Sequence, residues 1–324
     1  MAESDGLICG YLLDATGKGW QIDWDRVHRW QPSQGVLWLH LNRTFEEARH
    51  WLESDTGIDP IVCEALLTEE TRPRSLMMGN GLLVILRGVN LNAGADPEDM
   101  VSLRLWIDAH RIITLRSRHL MAIEDLRAEV ESGRGPQSPG EFLTMISRLL
   151  IERMSPIVDA LDNQIDAIEE TLLEHQTEES RERLAVLRRR VIILRRYIAP
   201  QRDVMVRLSN ERLAWFSDLD RARLREVADR VTRYVEDLDA ARERAAVTQE
   251  ELSSRLSAQL NRTMYILSLV AAIFLPLGLL TGLLGINVGG IPGSENKLAF
   301  FIVCGILIVI AAVQVWIFRK KHWF

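Results

Sequence analysis

Two long apolar runs near the C-terminus interrupt a chain that is otherwise rich in charged side chains. Residues 264–284 and residues 298–318 contain no Asp, Glu, Lys, Arg or His. Each run is about 21 residues long, which gives about 30 Å of α-helix and matches the hydrocarbon core of a bilayer. The pattern predicts two membrane-spanning helices. The segment that joins them, residues 285–297, is too short to fold as a domain.

The first part of the chain, residues 1–140, has the mixed pattern of an α/β domain. Short apolar runs bounded by turn residues are typical of strands, and helical spacing between them predicts helices. The predicted strands are Leu7–Leu13, Val36–Leu41, Leu82–Leu86, Val101–Ile107 and Arg111–Leu115. The predicted helices are Phe45–Leu52, Ile61–Leu67 and His119–Val130. A cluster of Gly and Pro at 133–140 marks the end of the domain.

Residues 141–200 predict an antiparallel helical hairpin that ends at Pro200, because apolar residues recur every three to four positions on both sides of an acidic tip. A stalk, residues 201–263, follows. Its helix is predicted to begin near Leu219 and to continue without a break into the first apolar run. From Leu224 to Ala245 the apolar positions alternate steps of three and four, the spacing of a coiled-coil seam. This seam predicts self-association around a central axis.

Basic residues beside the two runs predict the orientation in a membrane. Arg255 and Arg262 precede the first run, and a basic tail, residues 319–324, follows the second. Positive residues favour the cytoplasmic ends of membrane helices. The N-terminus lacks the basic and long apolar regions of a secretory signal. We therefore expect residues 1–263 and the tail on the cytoplasmic side, and the segment between the two runs outside.

The sequence carries no signature of an enzyme or of a resident cofactor. Its three cysteines form no CxxC pair, and its seven histidines show neither HxH nor HExxH spacing. No P-loop occurs, because Gly17-Lys18-Gly19 lacks the upstream glycine and the following Ser or Thr. The net charge of −6 argues against nucleic-acid binding. We expect no catalytic residues, no cofactor and no nucleic-acid partner.

The two runs favour a pore more than a simple anchor. Glycines at 278, 282 and 285 allow helices of several subunits to approach closely, and Pro276 allows a local bend. A coiled-coil membrane sensor, whose α/β domain binds metal, is the alternative from another class, although the connecting segment offers no external domain. The side chains with real hydrogen-bonding capacity in the two runs are Tyr265, Ser268, Thr281 and Gln314.

A polar turn, Gly285-Ile286-Asn287, directly follows the first run. If the Asn287 amide faces the axis of a symmetric oligomer, a ring of neutral oxygens meets the arriving ions. A neutral ring suits an ion that keeps its water shell, as strongly hydrated divalent cations do.

This order of elements resembles the CorA superfamily of divalent-cation transporters. The chain has Gly-Ile-Asn where most magnesium-type members carry Gly-Met-Asn. Together with the segments at Trp38–Asn42, Thr71–Arg74 and Arg195–Val204, the stretch around this turn is most similar to the ZntB-type bacterial zinc transporters. The resemblance covers essentially the whole chain.

The resemblance implies a CorA-like homopentamer in the bacterial inner membrane, with an α/β cytosolic domain, a long helical stalk and two C-terminal transmembrane helices. The first of these helices, about residues 264–284, would line the pore, and zinc would be the transported substrate. Gly285, Ile286 and Asn287 would form the pore entrance. Helical spacing back from the turn adds the pore-lining residues Met264, Leu267, Ala271, Leu275 and Thr281. Rings of Leu267 and Leu275 could gate by dewetting.

The resemblance also implies coupling of zinc uptake to protons, but neither apolar run contains a titratable relay. Coupling would then use groups at the ends of the path: Glu295 outside, and Glu250, Glu251 and His322 inside. A CorA-like channel for magnesium, cobalt or nickel, driven by the membrane potential, is the alternative within the same class.

Overall fold

The computed structural model describes residues 5–69, 72–174, 178–286 and 297–320, without the side chains of 172–174 and 178. Its internal contacts divide the chain into two units, Met1–Gln249 and Glu250–Phe324.

The first unit contains a seven-stranded sheet. Its strand order is β2-β1-β3-β7-β6-β5-β4. Strands β3 and β7 pair in parallel, and the other neighbours pair antiparallel. The strands are β1 (Leu7–Leu13), β2 (Gly19–Gln21), β3 (Val36–Asn42), β4 (Arg74–Met78), β5 (Gly81–Gly88), β6 (Val101–Ile107) and β7 (Arg111–Arg116). All five predicted strands are confirmed, and β2 and β4 are additional.

Helices lie between β2 and β3, between β3 and β4, and after β7, and they cover both faces of the sheet. The predicted helices near 45–52, 61–67 and 119–130 are confirmed within about two residues, the usual scatter of helix ends. The helices of this part are α1 (Trp24–His28), α2 (Glu46–Ser54), α3 (Pro60–Leu67), α4 (Met121–Glu131) and α5 (Pro139–Glu152), with a short 3₁₀ turn at Pro32–Gln34.

Alternation along the strands divides the core between the two faces, since successive side chains point to opposite sides of a sheet. One face packs Leu39 and Ile85 among the apolar side chains of α2 and α3. On the other face Trp38, which is fully buried, stacks on Tyr11 at 5.4 Å between ring centroids and meets the edge of Phe142 of α5 at 5.0 Å. The sheet therefore lies between two helical layers.

Two long helices, α6 (Ser155–Glu174) and α7 (Glu178–Asn210), follow the sheet. The prediction that the hairpin ends at Pro200 is wrong, because α7 continues through this proline. Gln201, the next residue, is fully buried, and its side-chain oxygen accepts the Arg87 backbone N–H of β5 at 2.6 Å. Buried apolar residues continue to Leu208. Burial of this stripe against the sheet outweighs the hydrogen bond that the proline removes.

Helix α8 covers Asp218–Leu284 and so belongs to both units. Its start, predicted near Leu219, has a reciprocal cap. The Ser217 hydroxyl accepts the Asp220 N–H at 3.1 Å, and the Asp220 carboxylate accepts the Ser217 N–H at 3.0 Å. The helix continues past Pro276. The last helix, α9, covers Ala299–Lys320, so both predicted apolar spans are helical.

The coiled-coil seam of α8 does not serve self-association as predicted. Its residues from Leu224 to Ala245 are buried within the chain itself. The polar rim of the seam pairs with the two preceding helices: Arg195 of α7 donates to Asp239, and Thr248 donates to Glu169 of α6 at 3.0 Å. A heptad pattern indicates that one face of a helix packs against another helix. That second helix can belong to the same chain.

A candidate cation path on the first membrane helix

Four of the predicted pore-lining residues share one face of α8. An α-helix turns about 100° per residue, which places Met264, Leu267, Ala271 and Leu275 within an arc of about 80°. All four are exposed, with 61%, 63% and 70% of the surface of Met264, Leu267 and Leu275 uncovered. We call this arc the open face of α8. It is apolar and carries no charge.

The opposite side of α8 is partly buried, and within the unit Glu250–Phe324 we assign this burial to α9. Leu269, Ile273, Leu277 and Leu280 are the partly buried residues of this span, and they lie in a second arc of about 80°. The centres of the two arcs lie about 160° apart around the helix. Partly buried positions on α9 also recur at helical spacing, and they include Val303, Leu307, Ile310 and Gln314. Within the unit Glu250–Phe324, the open face therefore points away from α9.

Thr281 departs from the open face. It lies about 80° from the centre of that arc on an ideal helix. Its hydroxyl donates back into the helix, with its oxygen 3.0 Å from the Leu277 carbonyl and 3.2 Å from that of Gly278. Gly278 and Gly282 occupy the open face at this level, and a Cβ built on either meets nothing within 4 Å. The sequence analysis places Thr281 among the pore-lining residues, but a step of six residues from Leu275 does not return to the same face of the helix.

The predicted entrance lies at the end of α8. The Gly285 N–H completes the last helical hydrogen bond, to the Thr281 carbonyl at 3.0 Å, and Ile286 is half exposed. Asn287 lies outside the described residues, as do Glu295 and His322.

The two remaining candidates for proton or ion contacts, Glu250 and Glu251, are exposed on α8. Glu251 is paired with Arg255, one turn further along the helix. Among the described residues, no group of three or more His, Cys, Asp or Glu side chains is arranged to hold a metal ion. The open face thus offers apolar surface and no coordinating cluster, which suits the passage of an ion with its water shell.

Comparisons with known proteins identify the relatives of this chain. A family model described as "CorA-like Mg2+ transporter protein" matches residues 33–320. The "Divalent cation transporter CmaX" of Pseudomonas aeruginosa is 42% identical over 98% of this chain and 97% of its own length. The "Zinc transport protein ZntB" of Pectobacterium carotovorum is 38% identical over 99% and 97%.

Solved structures give the same result at the level of the fold. The full-length CmaX structure matches with a TM-score of 0.88 and 41% identity, over 99% of both chains. The complete CorA magnesium transporter of Methanocaldococcus jannaschii matches with a TM-score of 0.80 at 21% identity, over 98% of this chain and 99% of its own. The second match shows the fold alone.

Proposed function

This chain belongs to the CorA family of divalent-cation transporters, and from that premise we propose that it carries zinc across the bacterial inner membrane as a homopentamer. The family consists of transporters and not enzymes, as the sequence predicted. The CorA-like fold, with its α/β part, long helix and two C-terminal apolar helices, makes the chain a membrane protein. The sensor alternative is set aside because the relatives that cover nearly the whole chain are named transporters.

The open face of α8 is the observation that carries the proposal. Five copies with this face toward a common axis would enclose a pore, and α9 would lie outside as the second layer. Glycines at 278 and 282 leave room for close approach near the entrance. Rings of Leu267 and Leu275 would form apolar constrictions that open and close by wetting. Asn287 would present neutral amide oxygens at the entrance.

Zinc is proposed as the substrate because the Gly-Ile-Asn turn and the relatives named as zinc transport proteins point to it. The ion would pass hydrated, since the open face has no Cys or His, the ligands that zinc prefers. This same observation favours a second candidate, transport of magnesium, cobalt or nickel driven by the membrane potential. The relative CmaX is named a divalent cation transporter, without one specified cation. The protein would need no cofactor, and zinc would be its cargo.

We propose that the groups that bind protons lie at the two ends of the cation path. The two apolar runs have no titratable relay, so Glu295 would act at the outer end and Glu250, Glu251 and His322 at the inner end. Both termini would lie in the cytoplasm, because Arg255, Arg262 and the basic tail flank the inner ends of the spans.

The driving force is tested with purified protein in liposomes that contain a zinc-sensitive dye. We expect zinc entry with a pH gradient and no membrane potential, and slower entry with a potential and no gradient. Substituting Glu250, Glu251, Glu295 and His322 together by Gln should remove the pH dependence while zinc still enters. Entry that follows the potential alone would support the second candidate and contradict proton coupling.

A further inference from the structure

Pro276 leaves one backbone carbonyl of α8 without its helical donor. A proline has no N–H, and in an α-helix that N–H would donate to the carbonyl four residues earlier. For Pro276 this carbonyl belongs to Ala272. Both residues lie in the first apolar run, where hydrocarbon offers no replacement donor, and an unsatisfied carbonyl is costly there. The sequence of α8 alone does not show which group donates to the Ala272 carbonyl.

A side chain of the other membrane helix reaches this carbonyl. The Gln314 amide nitrogen of α9 lies 3.4 Å from the Ala272 oxygen. Gln314 is the only amide side chain in the two apolar runs, 264–284 and 298–318. Its orientation follows from chemistry, since the amide oxygen would repel the carbonyl and the NH₂ group can donate to it. The Gln314 oxygen is buried and has no partner among the residues that the structure describes.

The bond lies next to the open face without being part of it. Ala272 and Pro276 directly follow Ala271 and Leu275, two residues of the open face. Ala272 lies about 100° around α8 from the centre of the open face, so Gln314 contacts α8 outside that arc. A residue in this position can set where Leu275 sits and cannot contact an ion on the open face.

We infer that Gln314 is a positioning residue, which stabilises α8 at Pro276 by supplying the donor that the proline removes. The bond thereby holds the Leu275 ring of the proposed pore in its conducting geometry. The second part of the inference rests on the proposed role of the open face, whereas the first part rests on the described contact alone. The experiment therefore reads the two parts separately.

A double-mutant cycle between Gln314→Met and Pro276→Ala tests the bond. Methionine has nearly the same length as glutamine and folds readily in a membrane helix, but it cannot donate. In the unsubstituted chain we expect Gln314→Met to lower the melting temperature in detergent by about 1–2 °C. In the Pro276→Ala background the new backbone N–H at position 276 donates to the Ala272 carbonyl, so Gln314→Met should be neutral or slightly stabilising.

Initial flux of a divalent cation into liposomes tests the positioning role. Gln314→Met should lower the maximal rate about threefold with an unchanged KM, and should have little effect when Pro276 is replaced by Ala. Ser268→Ala is the matched control, because it removes another polar group from the two apolar runs. Its effects on melting and on flux should be equal in both backgrounds.

If Gln314→Met changes the melting temperature equally with and without Pro276, the proposed bond to the Ala272 carbonyl is contradicted. Coupled melting shifts with equal flux changes in the two backgrounds would overturn the positioning role. If the unsubstituted chain carries no zinc, magnesium or cobalt, the proposed function fails, and the melting cycle still decides whether the bond exists.

Discussion

At the scale of single residues, the fold keeps the buried side chain of His40 neutral. The Thr114 hydroxyl donates to the Leu39 carbonyl at 3.0 Å, so it must accept from the Trp38 indole at 3.0 Å and from His40 Nδ1 at 2.8 Å. The proton of the neutral imidazole is therefore on Nδ1. Burial, followed by the charge of Arg116, holds the pKa of His40 well below its ordinary value.

This buried histidine should make the stability of the protein fall with acid. The unfolded chain binds a proton at His40 near pH 6.5, and the folded chain does so only at lower pH. Stability is therefore complete above about pH 6.5 and falls below it, by at most about 1.4 kcal/mol per pH unit from this group. Denaturant unfolding of the full chain between pH 7.5 and pH 5.5 measures the slope.

The matched control for His40→Gln is His110→Gln, because His110 is exposed in the turn between β6 and β7. His40→Gln should show a shallower loss of stability with acid than His110→Gln. The same pH slope in both variants would mean that His40 is not the group responsible.

At the scale of single residues, the sequence shows which side chains are unusual in their surroundings, but not which groups they contact. Gln314 stands out in the sequence as one of four polar side chains in the apolar runs. Its partner, the Ala272 carbonyl, lies 42 residues earlier on a different helix. The proline in the sequence shows which carbonyl loses its helical donor, but not which side chain replaces that donor. Such a pair is found only when both helices are in place.

At the element scale, periodicity locates the elements whose faces differ strongly in polarity. It misses strand β4 because Arg74–Met78 lies at the sheet edge, with three of its five residues exposed. The parallel pairing of β3 with β7 is also not predicted, because it joins segments about 70 residues apart. The sequence pattern predicts that the helix ends at Pro200, but α7 continues to Asn210. The pattern does not show that α7 packs on the sheet, and this packing outweighs the cost of the proline.

The open face of α8 predicts a pattern of chemical accessibility. In a background with Cys304→Ala, Leu275→Cys and Ala271→Cys should react with a charged, membrane-impermeant thiol reagent, because their face would line a water-filled path. Reaction should also reduce cation flux in liposomes. Cys9 and Cys63 are buried and should contribute little background.

The matched controls for accessibility are Leu277→Cys and Ile273→Cys, each two positions away on the α9 side. These should react at least about tenfold more slowly, since α9 covers them. Equal rates at Leu275 and Leu277, or faster reaction at Leu277, would show that the path does not follow the open face.

At the scale of the whole molecule, the proposed pore requires several chains, because a single open face cannot enclose a path. A helix with one face covered by α9 and the other uncovered fits an assembly around an axis, for which we propose five subunits. Native mass spectrometry of the detergent-solubilised protein should give five copies of the 37.0 kDa chain. A uniform population of any other number would contradict the proposed assembly.

Zinc entry into proteoliposomes tests the central claim most directly. The vesicles contain a zinc-sensitive dye, and the unsubstituted protein is compared with Asn287→Ala at matched protein content and melting temperature. We expect the unsubstituted protein to admit zinc well above empty vesicles, even with excess external magnesium, and Asn287→Ala to slow entry at least about tenfold. Folded protein that admits no more zinc than empty vesicles, or magnesium in place of zinc, would contradict the account.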